Sequence, residues 1–137
     1  MMGTKGVHIK ALNTGHDGSL STGHANSPAD MLARLESMVL MGLDIPLEAV
    51  QRQIASGIDI IVHLGRLRDR SRKVLEITEV LGYKNGEIQV NPLYRFEETG
   101  EDDGKIQGIW RKMENLVHTQ KLLAAGYTET GVCGNDI

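Results

Sequence analysis

Gly57-Ile58-Asp59-Ile60-Ile61-Val62-His63-Leu64 is where the chain changes period. Ile58, Ile60, Val62 and Leu64 alternate with Asp59, Ile61 and His63, the two-residue repeat of an extended backbone. Apolar residues fall in both registers, so the expected strand is nearly buried. Upstream the repeat is helical. Ser27 can cap a helix, Pro28 fits its first turn, and Asp30 sits three residues after the cap. Met31, Leu32, Leu35, Met38 and Val39 follow at helical spacing, and Gly42 ends the run. A second helix starts at Pro46, aligns Leu47, Val50 and Ile54, and stops at Gly57. Downstream, Lys73 to Tyr83 is rich in branched residues and reads as a partner strand, and Asn85-Gly86 is a tight hairpin signal. Pro92 interrupts the next run, which makes Leu93 to Phe96 an expected edge. Glu97 to Gly104 reads as an exposed acidic loop with five carboxylates. Lys105 to Met113 is one more strand, and Thr119 to Ala125 a short helix closed by Gly126.

At the other end, Asn13 to Gly18 is turn chemistry and Ser19-Leu20-Ser21-Thr22 reads as a short strand leading into His24. A lone strand needs neighbours for its backbone groups, which suggests a larger α/β sheet that has been cut. Residues 1–10 show no period and look like an altered or tag-like terminus, residues 11–127 form the domain, and residues 128–137 read as a frayed tail. No internal repeat is present.

A length of 137 residues suits one domain, and 40% apolar residues are enough for a core. Aromatic residues are scarce at 4%, so that core leans on Leu, Ile, Val and Met. Fifteen basic and 18 acidic residues give a net charge of −3, which argues against a nucleic-acid partner. A single cysteine, Cys133, fits a reducing compartment. No apolar run approaches the roughly 20 residues of a membrane span, and no leader opens the chain. The expectation is a soluble, cytoplasmic domain.

The stretch Thr14-Gly15-His16-Asp17-Gly18-Ser19-Leu20-Ser21-Thr22-Gly23-His24-Ala25-Asn26-Ser27-Pro28 resembles the histidine box of the type II/IV secretion traffic ATPases, in particular those of Flp/Tad-type pilus assembly. Arg34-Leu35-Glu36, Gln53-Ile54-Ala55-Ser56 and Arg66-Leu67-Arg68-Asp69 before Ser71-Arg72 resemble the same family. The resemblance runs from about Ala11 to Tyr127. It implies the C-terminal part of a RecA-like P-loop NTPase domain, with helices followed by a mainly antiparallel strand set. It also implies a homo-oligomeric ring of motor subunits. That ring works with pilus or secretion machinery at the inner membrane, with ATP and magnesium as cofactors of the intact motor. The family's phosphate-binding loop and Walker B carboxylate are not found in this sequence. Gly100-Glu101-Asp102-Asp103-Gly104-Lys105 is a near match only. Its glycine spacing is one residue short, Ile106 stands where a hydroxyl would hold magnesium, and its carboxylates repel phosphate. The chain alone is therefore expected to bind no nucleotide tightly and to be inactive by itself.

The resemblance implies that His24 faces the γ-phosphate from a strand end, donating a hydrogen bond and reporting hydrolysis. Read without it, His24 is a histidine held by local turn contacts. Ser21 and Thr22 either hydrogen-bond the attacking water or the phosphate, or are ordinary strand hydroxyls. Asn26 shapes the turn before the helix. His16, Asp17 and His24 match no familiar zinc spacing, so no metal is expected. Arg66, Arg68, Arg70 and Arg72 recur across an expected hairpin. They face either a neighbouring subunit or an anionic partner or, on the preferred reading, solvent in a turn, with Asp69 and Glu76 offsetting their charge. Met31, Met38 and Met41 read as helix core. The competing functions are a non-catalytic module that binds motor or pilus-machinery subunits and, more weakly, a metal hydrolase.

Overall fold

The computed structural model describes residues 18–127. Two helices are the first regular elements among the described residues. Helix α1 (Pro28–Gly42) is started by Ser27, whose Oγ accepts the Asp30 N–H at 3.0 Å. Asp30 in turn accepts the Asn26 N–H at 2.9 Å, so one orphaned donor of the first turn is satisfied and the residue before the cap is tied to the helix. Helix α2 (Leu47–Gly57) begins after Pro46 and has Glu48 in its first turn, the favourable sign for a helix N-terminus. Both helices end on a glycine followed by an extended residue, Leu43 or Ile58, whose N–H returns to Val39 or Ile54. Leu32 and Val39 of α1 meet Val50 and Ile54 of α2 in the main core, with Leu35, Leu43, Ile45, Ile58, Ile61 and Ile88 packed around them. Val50 and Ile54 are wholly buried, and burying each such side chain stabilises the fold by about 1.5–3 kcal/mol. Of the three methionines read as helix core, Met31 and Met38 are half-buried, whereas Met41 stands in solvent.

The sheet is an antiparallel meander in the order β1-β2-β3-β4: β1 (Ile60–Arg66), β2 (Arg72–Lys84), β3 (Glu87–Asp102) and β4 (Lys105–Lys112). A short helix, α3 (Gln120–Ala124), follows, with Gly126 in the left-handed region behind it. Asn85-Gly86 forms the expected tight hairpin, with φ of 54° and 82°. A second hairpin of the same kind turns at Asp103-Gly104, with φ of 48° and 72°.

Four sequence expectations are corrected. Leu93–Phe96 is not an edge, because β3 runs through it between β2 and β4. Pro92 is accommodated because the β2–β3 register shifts between Ile77 and Thr78, a bulge that relieves the need for a proline N–H. The acidic stretch from Glu97 is not a loop but the outer half of β3. It is exposed, and a cross-strand ion pair of Glu97 with Arg111 and pairs of Glu98 and Glu101 with Arg68 of the β1–β2 turn bind it. The strand at Ile58–Leu64 begins two residues later and is not nearly buried. Ile60, Val62 and Leu64 are 41%, 51% and 67% exposed, while Ile61 faces the core. The helices cover one face of this edge strand only. Finally, Ser19–Thr22 is not a strand: the sheet offers it no neighbour, and Leu20 is 99% exposed.

Candidate functional site

Ser21, Thr22 and His24 lie together on an exposed segment without regular structure that runs into the cap of α1. No strand end presents His24, contrary to what the resemblance implied. One contact ties the segment down: a Cβ on Gly23 would fall 2.3 Å from Met31 Cε, so the backbone beside His24 lies directly on the first turns of α1. From there the cap formed by Ser27 and Asp30 fixes how the chain enters the helix, and Asn26 contributes through its backbone N–H. His16 and Asp17 lie outside the described residues. Two hydroxyls and an imidazole suit a terminal phosphate, which takes hydrogen bonds from each. None of the three supplies a carboxylate for magnesium.

The polar architecture is denser at the turn joining β1 to β2. Asp69 Oδ1 accepts from the N–H of Ser71 at 2.9 Å and from the Ser71 hydroxyl, and Asp69 Oδ2 accepts the Ile106 N–H at 2.8 Å. These bonds, the Ser71 hydroxyl foremost, hold the Asp69 carboxyl down at about 2. A cavity of about 410 Å³ opens here, lined by Asp69, Arg70, Ser71, Lys73, Lys105 and Gln107 among others. None of its lining residues belongs to the His24 segment. The arginine run does not share one role. Arg68 pairs with Glu98 and with Glu101, the latter at 3.1 Å, while Arg66 and Arg72 are register partners at the end of the hairpin. The expected neutralising residues are otherwise engaged, Asp69 in the turn and Glu76 with Thr78 and Arg95. An Asp two residues before a Ser is a turn signal the sequence does carry. The approach of Ile106 to Asp69 has no local signal, since 37 residues separate them.

Farther along β2, Glu79 is 1% exposed and accepts the N–H groups of Val117 and His118 at 2.9 and 2.8 Å and an N–H of the Asn91 amide at 3.1 Å. Burial pushes its carboxyl up, but these donors outweigh burial and the net shift is downward. The segment before α3 is thereby held to the sheet.

A histidine-bearing segment docked on a capped helix, a second helix and an antiparallel meander together define an α/β domain. The chain belongs to the family described as type II/IV secretion system protein, whose model matches residues 2–125 and so includes most of the stretch set apart as residues 1–10. It is 35% identical over 96 residues to the "Putative conjugal transfer protein" of Mycobacterium tuberculosis (strain CDC 1551 / Oshkosh), covering 69% of this chain and 26% of that protein. It is 32% identical over 90 residues to conjugal transfer protein TrbB of Rhizobium radiobacter, covering 66% of this chain and 27% of that protein. The chain thus spans about a quarter of the length of these curated relatives.

Proposed function

We infer that this chain is the part of an ATP-driven secretion or pilus-assembly motor that carries the phosphate-facing histidine, and that its fold is the C-terminal part of a RecA-like domain. The observation that carries the reading is the family match over residues 2–125, which includes the whole of the His24 segment. The names of the relatives, conjugal transfer proteins, support a role in moving macromolecules across an envelope. The bare apolar stripe of Ile60, Val62 and Leu64 is also consistent with a domain that packs against more protein in the complete motor. In that setting Ser21, Thr22 and His24 hold the terminal phosphate of ATP, which supplies the energy of a hydrolysable anhydride. Magnesium and the remaining phosphates require residues from elsewhere in the motor. His24 acts as a hydrogen-bond donor, and the close approach of Met31 to Gly23 passes a shift of His24 to α1.

The partners are other subunits of a homo-oligomeric ring and the secretion or pilus machinery at the inner membrane, with the motor peripheral to the membrane on its cytoplasmic side. Among the described residues no helix is long and apolar enough to cross a membrane. The test is His24→Ala in a complete motor that carries this region. Hydrolysis should fall about ten- to 150-fold, the value of a lost hydrogen bond to a charged group made only in the transition state. ADP affinity should stay unchanged, because ADP has no γ-phosphate. Equal losses of ADP and ATP binding would retire the sensor role. The second reading, a non-catalytic module that binds motor or machinery subunits, draws on the same exposed stripe; it predicts that His24→Ala leaves hydrolysis untouched.

A further inference from the structure

We propose that the β1–β2 turn and the first residues of β4 form a binding site for a phosphate-class anion, separate from the His24 segment. The cavity of about 410 Å³ at this turn is lined by three cationic side chains, Arg70, Lys73 and Lys105, and by one carboxylate, Asp69. That carboxylate is already committed: one oxygen accepts from Ser71 and the other from the Ile106 N–H. The other acidic side chains of this end of the molecule are turned to different cations, Glu98 and Glu101 to Arg68 and Glu97 to Arg111. Asp102 and Asp103 sit at the hairpin tip and line no part of the cavity. Three cations against one carboxylate leave the cavity two positive charges in excess.

Arg70 supplies an independent observation. Its φ is 70°, in the left-handed region where side chains other than glycine and asparagine are uncommon. The turn enforces this conformation, with the Leu67 N–H on the Ser71 carbonyl at 2.8 Å and the Arg70 N–H on the Leu67 carbonyl at 2.9 Å. A long cation is thus held at the cavity at a backbone cost that glycine would avoid. One guanidinium and two ammonium side chains line the cavity, the Lys73 ammonium also lying over the Phe96 ring, and such groups suit the several oxygens of a dianionic phosphate, each taking a charge-assisted hydrogen bond. Gln107 adds a neutral amide donor at the wall. The volume lies at the small end of ligand pockets and fits a phosphate or pyrophosphate group rather than a large cofactor. Such a group comes either from a soluble phosphate compound or from the headgroup of an acidic phospholipid.

Calorimetric titration of the full chain with pyrophosphate at about 20 mM salt tests the site, with vesicles of phosphatidylglycerol or of phosphatidylcholine as a second arm. Saturable one-site binding is expected, weakened about tenfold or more by Arg70→Gly combined with Lys105→Gln, and weakened again at about 0.5 M salt. Arg70→Gly is chosen because glycine accepts the left-handed backbone, so the loss occurs without a fall in melting temperature. His24→Ala and Arg66→Gln should bind as the parent does, which separates this site from the proposed motor chemistry. Pelleting with phosphatidylglycerol vesicles that the double variant abolishes assigns the headgroup as the source; pyrophosphate binding without pelleting assigns a soluble phosphate. Absence of both responses overturns the proposal, as does a loss in Arg66→Gln equal to that of the cavity variants.

Discussion

Glu79 on the inner strand β2 holds His118, 39 residues away, by accepting its backbone N–H at 2.8 Å, and the neighbouring Val117 N–H falls on the other oxygen of the same carboxylate. The chain that leaves β4 is therefore fixed by one buried acid, with the Asn91 amide bridging the acid and the Asn115 carbonyl. His118 completes the latch through its ring nitrogen, 2.9 Å from the Leu81 carbonyl.

Glu79→Gln should loosen this segment. An amide presents only one accepting oxygen and aims its own N–H groups at donors. The expected cost is about 1.5–2 kcal/mol, the low end for hydrogen bonds to a charged group, because the covering residues are themselves exposed. Chemical denaturation measures the cost, and hydrogen exchange at Val117 and His118 locates it. Unchanged protection there would show that the latch is not held by the acid.

Acid should act through the same group and through Asp69. Both carboxyls are lowered in the folded chain, Asp69 to about 2. Their contribution to stability is therefore complete above the ordinary carboxylate range near pH 4, and it is lost as pH falls through the folded-state values. Melting temperature should fall between about pH 4.5 and about pH 2, and the fall should flatten in Asp69→Asn, which titrates nowhere in that window. A parent and variant with parallel pH profiles would contradict this.

Trp110 donates its indole N–H to the Val74 carbonyl at 2.7 Å, reaching from β4 across β3 to β2. The carbonyl is available because the β1–β2 register slips beside it, between His63 and Leu64. Trp110→Phe keeps a ring near Phe96, now 5.6 Å away, but leaves the carbonyl without this donor. A loss of about 0.5–1.5 kcal/mol is expected by thermal or urea unfolding.

Gly108 admits no side chain. A Cβ there would lie 2.6 Å from the Glu97 carbonyl oxygen and 2.3 Å from Phe96 Cζ, and the backbone oxygen cannot step aside without disturbing the β3–β4 ladder. Gly108→Ala should destabilise by about 1–3 kcal/mol. By contrast, His24→Ala in this chain should alter the melting free energy by less than about 0.5 kcal/mol, because the side chain is exposed.

The chain by itself should show no ATP turnover above background. Nothing in its sequence has the glycine and lysine spacing that cradles β- and γ-phosphates, and Gly100 to Lys105 folds as the end of β3 and a hairpin turn. Turnover near 1 s⁻¹ or faster, an ordinary enzymatic rate, would overturn the reading of this region as incomplete for catalysis.

What the sequence determined alone were the features closed by neighbours in the chain. Ser27, Pro28 and Asp30 set the start of α1, and Asn85-Gly86 set a hairpin, because their hydrogen bonds and φ angles are satisfied within a few residues. The family followed from short local stretches, Thr14 to Pro28 foremost with Arg34 to Glu36, Gln53 to Ser56 and Arg66 to Arg72, and the family match spans residues 2–125. Tertiary structure decided what depends on distant partners. Pro92 belongs to an inner strand because a bulge absorbs it, and Glu97–Asp102 is strand because Arg68 and Arg111 meet its charges. Asp103-Gly104 turns the second hairpin inside a stretch whose acidic composition reads as a loop. Ile60, Val62 and Leu64 share a face by local geometry, yet which face is buried was settled by the helices, which cover Ile61 instead. Ser19–Thr22 has strand composition and no strand, since backbone pairing needs a neighbour that composition cannot supply.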